Sequence, residues 1–167
     1  MVTTKDTGNS MMAAEPELKE LFSLGVAAVD NGDTVNGLLF LEKTGEVFRG
    51  NPLFCSYLAV CLARERQMFL TAVSLCLNSM AVEPRETLHY LNLGRVYLTV
   101  GDKKKAIQTF DNGLQIGYNK QIHSELYLLG WRKPPVIPFL DRSRPLNVIL
   151  GKLEARLHQR WSKCRPS

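Results

Sequence analysis

The chain has 167 residues, a length that allows one hydrophobic core with at most a small appendage. Hydrophobic residues make up 45% of it and charged residues 22%, as in ordinary globular proteins, so the composition argues against a disordered chain. No uninterrupted apolar run approaches the length of a membrane span, and the first residues lack the apolar core of a signal peptide. We therefore expect a cytoplasmic protein.

The N-terminal part divides into a tail and a first helical unit. Residues 1–14 are small and polar without periodicity, which predicts a disordered tail, and a helix can begin at Glu15 or Pro16. Gly25 is followed seven and eight residues later by Gly32-Asp33. The same step recurs downstream between Gly94 and Gly101-Asp102, so a first repeat unit is predicted over residues 18–51.

The next unit, residues 53–86, is recognised only by alignment. Shifted by 34 residues onto the stretch after it, this segment places Ala72 at the position of Ala106 and Cys76 at that of Phe110. Its corner departs from the pattern, because the stretch Arg64, Glu65, Arg66 and Gln67 stands where a Gly-Asp turn is expected. We predict a divergent second unit here.

Residues 87–120 have the clearest pattern, two helical faces that meet at the Gly101-Asp102 corner. The faces consist of Tyr90, Leu93, Gly94 and Tyr97 in the first half and Ala106, Phe110 and Gly113 in the second. The small residues leave room for two backbones to approach closely, and the Phe110 ring fills the space between them. This is the pattern of a helical hairpin.

Those seven residues, in that register, resemble the tetratricopeptide repeat (TPR), a unit of 34 residues. The resemblance implies an all-α solenoid of helical hairpins, a right-handed superhelix, with a TPR domain over residues 15–130. Its last part, residues 121–130, is predicted to be a capping helix because a solenoid needs a polar end. The residues expected to pack the repeats together are Gly25, Ala72, Tyr90, Leu93, Gly94, Tyr97, Ala106, Phe110 and Gly113.

The resemblance also implies a binding surface, because the first helices of successive TPR hairpins line a concave groove. The residues expected to line it are Phe22, Val26, Tyr57, Cys61, Arg64, Leu91, Arg95 and Leu98, and Val29 has the same periodicity. This set predicts an apolar groove in which Arg64 and Arg95 pair with carboxylates of a bound peptide. The set lacks the Lys and Asn residues with which chaperone-binding TPR domains clamp a terminal carboxylate.

The C-terminal part, residues 131–167, combines a proline-rich crossing with a basic amphipathic helix. Its prolines prevent a continuous helix before Pro145, and a leucine stripe from Leu146 to Leu157 comes after them. The stretch resembles the tails of small bacterial TPR proteins. The apolar pieces could fill the chain's own groove, in which case a partner would displace them, or the stripe could form a homodimer.

The sequence contains no motif of catalysis or cofactor binding. It has no phosphate-binding loop, no nucleophile elbow and no HExxH, and its four cysteines form no CxxC pair. We therefore expect no enzyme, no cofactor and no metal. The predicted function is a non-catalytic adaptor, scaffold or chaperone-like module that binds a protein or peptide partner.

The alternative function is an electrostatic anchor. The basic character lies in residues 131–167, where clustered Lys and Arg could bind nucleic acid or an anionic surface. No nucleic-acid module signature accompanies these charges, so a solvated helix face is favoured over nucleic acid. Binding that weakens steeply with salt would indicate the anchor.

Overall fold

The structure is a computed structural model that describes residues 7–131 and residue 149, the first nine of these (7–15) as backbone only. The described residues form helices and no strands, which confirms the all-α prediction. The helices are α1 (Thr7–Asp30), α2 (Thr34–Phe48), α3 (Pro52–Arg66), α4 (Phe69–Val82), α5 (Thr87–Thr99), α6 (Lys103–Ile116) and α7 (Lys120–Leu128). In this part of the chain no helix is both long and apolar enough to cross a bilayer.

The helices pair into three consecutive hairpins, α1 with α2, α3 with α4 and α5 with α6. At the Gly32-Asp33 and Gly101-Asp102 corners, the glycine has a positive φ of 85° or 78° and reverses the chain. The aspartate then caps the next helix by accepting a hydrogen bond from a backbone N–H three residues later. Each Gly-Asp pair thus ends one helix and begins the next.

The second hairpin makes its corner without glycine. Gln67 adopts a left-handed conformation with φ 55°, and its N–H donates to the Leu62 carbonyl. The next helix has no side-chain cap at Met68. The divergent corner therefore has the same chain reversal, with a non-glycine residue in the conformation that glycine adopts elsewhere.

The first helix is longer than the sequence predicted. It begins at Thr7 rather than at Glu15 or Pro16, and Pro16 lies inside it. Helix formation upstream of Pro16 is consistent with composition, because Met, Ala and Glu, which predominate in residues 11–15, have high helix propensity even without an apolar stripe. The prediction of a disordered stretch is therefore wrong for residues 7–14, and residues 1–6 lie outside the described part.

The hydrophobic core of the described hairpins consists of two clusters. The larger one extends from the first hairpin through the second to α5 of the third, and it includes Leu41, Phe54 and Val96. The smaller one lies between α5, α6 and α7 around Phe110 and Ile122. Helix α7 packs against the third hairpin through Ile122 and Leu126.

The proline-rich crossing and the terminal helix predicted for residues 131–167 lie outside the described residues, except for Trp131 and Ile149. The predicted homodimer contact and the alternative anchor function depend on the same segment. These remain predictions.

Candidate functional site

A cleft lies on the face formed by the first helix of each hairpin and α7. It has a volume of about 460 Å³. Its lining residues are Val29, Asp30 and Gly32 from the end of α1, Val60 and Arg64 from α3, Arg95, Leu98 and Thr99 from α5, and Glu125 from α7. A cleft of this size falls in the range of ligand-binding pockets.

The Arg95 guanidinium lies in the cleft between two carboxylates of the same chain. Its Nη1 lies 2.8 Å from Asp30 Oδ1, and its Nε lies 3.2 Å from Glu125 Oε1. The Arg95 side chain is only 15% exposed and the two carboxylate side chains 24% each, so the ion pairs are partly shielded from solvent. Arg95 thereby links the first hairpin to the capping helix across the third.

Tyr57 contacts the Asp30 carboxylate of this ion pair. Its ring is buried, and its hydroxyl lies 3.3 and 3.2 Å from the two carboxylate oxygens of Asp30. Burial, followed by the charge of Asp30, raises the pKa of Tyr57 well above its ordinary value. The hydroxyl therefore stays protonated and donates to the carboxylate, which fixes Asp30 in the orientation that meets Arg95.

Arg64 is the arginine of the cleft whose charge is available to a ligand. Its side chain is exposed, and within the described residues its one hydrogen bond is a long one, 3.5 Å from Nη1 to the Gly32 carbonyl. The neighbouring Arg66, by contrast, is paired with Glu42. Arg64 and Arg95 together balance Asp30 and Glu125 in formal charge, but of these two arginines it is Arg64 that lacks a carboxylate partner among the described residues.

Of the residues predicted to line the groove, the structure brings Arg64, Arg95 and Leu98 together in this cleft, with Val29 beside them. Phe22 and Val26 lie outside it. The Phe22 ring stacks on Phe48 with centroids 4.9 Å apart, and Val26 packs against the larger core cluster.

The prediction is wrong for Tyr57, Cys61 and Leu91, which are buried and present no surface to a ligand. Tyr57 is covered where α1 packs over α3, and Leu91 fills the cluster between α5, α6 and α7. Cys61 lies beside Gly37, and burial raises the pKa of its thiol to about 12. The first helices pack more closely than an open concave surface requires, so these positions fill the seams between them.

Asp30 and Glu125 are the cleft residues that the sequence did not identify. They lie 65 and 30 residues from Arg95 along the chain. Asp30 is the last residue of α1, where the helix dipole does not favour a carboxylate, and Glu125 belongs to the predicted cap. The sequence does not show that both contact Arg95, because only the stacking of the hairpins brings the three residues together.

Three glycines among the residues predicted to pack the repeats lie where helices approach closely. A Cβ built on Gly94 would lie 2.1 Å from the Phe110 ring, and one on Gly113 would lie 2.8 Å from Tyr90 Cβ. Gly25 is similarly close to Leu41, at 3.1 Å. Ala72, Ala106 and Leu93 are buried, whereas Tyr97 is half-buried with Lys105 Nζ 5.5 Å from its ring centroid.

A second group of polar residues has the composition of a hydrolytic triad but not its accessibility. His89 lies 3.1 Å from Ser56 Oγ through Nδ1 and 3.0 Å from Glu83 Oε2 through Nε2, and Asn92 donates to the same serine oxygen. Ser56, His89 and Asn92 have no exposed surface, so no substrate reaches the hydroxyl. The network instead ties the second hairpin to the third.

In the part of the chain that the structure describes, no three Cys, His, Asp or Glu side chains gather into a possible metal site. The cysteines there are free, and Cys61 and Cys76 are core residues.

Known structures with the same architecture are TPR domains. The first TPR domain of Spaghetti (RPAP3), bound to an HSP90 peptide, matches with a TM-score of 0.50 and 18% identity over 68% of this chain and 92% of its own. The Sgt2 TPR domain of Aspergillus fumigatus matches with a TM-score of 0.51 and 18% identity, covering 78% of this chain and 92% of that domain.

A mutant O-GlcNAc transferase of Thermobaculum terrenum matches with a TM-score of 0.54 and 21% identity over 93% of this chain, but over only 27% of the transferase. No protein-family model and no curated protein matches the sequence. At these identities the likeness concerns the fold alone, and together with the helical hairpins it confirms the predicted TPR fold.

Proposed function

We propose that this chain, which has the TPR fold, is a non-catalytic protein-interaction module that holds a peptide segment of a partner protein in the cleft around Arg95. The observation that carries the proposal is the composition of the cleft, where an arginine without a carboxylate partner among the described residues stands beside apolar side chains on the face shared by all the first helices. A binding role also suits the neighbour that holds an HSP90 peptide, although that ligand belongs to the neighbour.

The charges of the cleft favour a particular kind of peptide. Arg95 is engaged by the chain's own carboxylates, so a ligand carboxylate would have to displace Asp30 or Glu125 to reach it. Arg64 has no such competitor within the described chain. We expect the ligand to place an acidic side chain on Arg64 and a neighbouring apolar side chain against Leu98, above a floor made by Val29 and Val60.

This expectation differs from the one drawn from the sequence, in which both arginines receive the ligand. Here Arg95 positions the cleft and Arg64 makes the contact. A charge-assisted hydrogen bond to a carboxylate contributes about 1.5–3 kcal/mol, which is roughly a tenfold to hundredfold change in affinity.

The test selects peptides with the full chain from a phage library of random dodecapeptides and measures the dissociation constants of the best binders by fluorescence anisotropy. We expect sequences with Asp or Glu next to Leu, Ile, Val or Phe. Arg64→Ala should weaken binding at least about tenfold. Arg66→Ala is the matched control, because it removes an exposed arginine of the same helix that is already paired with Glu42.

Three outcomes would contradict the proposal. Recovery of no specific peptide would contradict the binding function itself. Peptides insensitive to Arg64→Ala would show that another surface binds them. Peptides rich in Lys and Arg would show that Asp30 and Glu125, rather than Arg64, select the ligand.

A further inference from the structure

Among residues 16–131, no other helix packs against one face of α7, the face around Tyr127 and Leu128. Ile122 and Leu126 pack into the smaller core cluster, but Tyr127 and Leu128 are 84% and 79% exposed. The open face contains a depression of about 410 Å³, which is lined by Lys120, His123, Ser124, Tyr127 and Leu128. Two large apolar neighbours are thus exposed together at the end of the described solenoid.

The side of this face that carries His123 and Tyr127 corresponds to the face that contacts α6 in the preceding hairpin. Helices α5 and α7 begin directly after the capping residues Glu86 and Asn119, whose side chains accept hydrogen bonds from the first turn. This common start aligns the helices with a shift of 33 residues, so that the buried Leu93 matches the buried Leu126. In the same alignment Tyr90 and Gly94, which contact α6, match His123 and Tyr127.

The turn after α7 repeats the turn that introduces a second helix elsewhere. Gly32, Gly101 and Gly130 have φ values of 85°, 78° and 69°. In all three turns the glycine N–H donates to the carbonyl three residues earlier, and the next N–H donates to the carbonyl five residues earlier. The first two turns send the chain back along the helix it has just left. The third has the same geometry and so favours a return of the chain along α7.

A helix cannot occupy this face in the way that α6 occupies α5. At Gly94 an added Cβ would already lie 2.1 Å from the Phe110 ring, and α7 has the large side chain of Tyr127 at the matching position. The sequence after the turn also argues against a helix, because Pro134, Pro135 and Pro138 interrupt it. An extended segment with several apolar side chains suits this sequence better.

Length permits this segment to reach the whole face. The nine residues of α7 span about 13 Å at 1.5 Å per residue, and residues 132–140 in an extended conformation span about 28 Å at 3.1 Å per residue. The segment is joined directly to Trp131, which is half-buried against the α5–α7 cluster. It is therefore held at a high effective concentration next to the face.

From these observations we infer that residues 132–140 run back along α7 as an extended chain and cover its open face, taking the place of the second helix of a fourth hairpin. Val136, Ile137, Phe139 and Leu140 supply the apolar side chains that cover Tyr127 and Leu128. The cleft around Arg95 then stays open to its ligand, since the segment is used at the end of the solenoid.

The test measures the reactivity of single introduced cysteines in the full chain, with Cys55 and Cys164 replaced by serine and the buried Cys61 and Cys76 retained. Leu128→Cys reports on the open face. Val82→Cys is its control, because both residues end a helix and their exposures of 79% and 70% are similar. The rates of maleimide modification are followed by mass shift, and circular dichroism with thermal melting verifies that each variant folds.

We expect the cysteine at 128 to react at least about tenfold more slowly than the one at 82, which corresponds to about 1.4 kcal/mol between the covered and the open face. Adding Ile137→Asp or Phe139→Asp to the same chain should bring the two rates within about twofold of each other. Tyr127→Cys provides a second reporter if Leu128→Cys does not fold.

Equal rates at 128 and 82 in the full chain would overturn the inference. A slow rate that the aspartate substitutions leave unchanged would also overturn it, because something other than residues 132–140 would then cover the face. Protection that grows with protein concentration would identify a second copy as the occupant and equally contradict the proposed intramolecular contact.

Discussion

Replacing Gly94 by alanine should destabilise the protein, although the same change usually stabilises a helix. Gly94 lies inside α5, where the built Cβ would meet three atoms of the Phe110 ring at 2.1, 2.5 and 2.6 Å. The ring is fully buried, so it has no open space into which it can turn. The two helices of the hairpin must separate, or the ring must leave its rotamer.

The magnitude results from two opposed effects. Alanine in place of glycine gains about 1 kcal/mol of helix propensity, whereas overpacking a core costs about 1–3 kcal/mol. The closeness of the contact indicates the upper half of that range, which gives a net loss of about 1–2 kcal/mol in the free energy of unfolding. For a chain of this size, the melting temperature would fall by about 2–8 °C.

Gly45→Ala is the matched control. Gly45 lies inside α2, and its built Cβ would be 3.7 Å from the Phe54 ring, an ordinary contact. Because both substitutions gain the same helix propensity, their difference isolates the packing effect, which we expect to be about 2–3 kcal/mol. Urea unfolding followed by circular dichroism measures both. If Gly94→Ala were as stable as Gly45→Ala, the close approach of α5 to α6 would not be a constraint in solution.

Three further predictions concern charge and burial. Arg95→Ala should lower the free energy of unfolding by about 1–3 kcal/mol, because Asp30 and Glu125 lose a partly buried partner. Arg66→Ala, the control, should lower it by less than about 1 kcal/mol. Urea unfolding measures both. The hydrogen bond from the Lys105 backbone N–H lowers the pKa of Asp102. This cap should therefore stabilise the fold above the ordinary aspartate pKa and lose that contribution as the pH falls through the lowered pKa. Asp102→Asn should remove this part of the pH dependence of stability, as NMR titration and acid unfolding would measure. Burial raises the pKa of Cys61 and Cys76 to about 12, so both thiols should resist alkylation at pH 8 in the native protein and react in urea, as mass mapping would detect.

The fold could be predicted from the sequence because its determinants are local. The Gly-Asp corners encode a chain reversal and a helix cap in two adjacent residues, and the small residues at Gly94 and Gly113 encode the close approach of two helices. The start of α1 was not predictable in this way. Helix propensity without an apolar stripe leaves no periodic signal, and Pro16 resembled a first-turn residue.

The cleft was predicted in part, and the failures share one cause. Periodicity indicates which side of a helix a residue occupies, but not how far the next helix covers that side. Arg64 and Leu98 line the cleft, whereas Tyr57 and Leu91 lie where neighbouring helices meet and are buried. How deeply they are buried depends on the distance between helices from different units.

Arg95 shows how the cleft and the end of the solenoid depend on one another. Its two carboxylate partners come from the first hairpin and from α7, so the cleft keeps its shape only while the capping helix stays in place. With nine residues, α7 is too short to be stable alone. It is stabilised by packing against α5 and α6, and the proposed return of residues 132–140 would add cover on its other side. Substitutions that weaken the contact of residues 132–140 with α7 should therefore make Glu125 more mobile and weaken its ion pair with Arg95. None of the proposed covering residues belongs to the cleft.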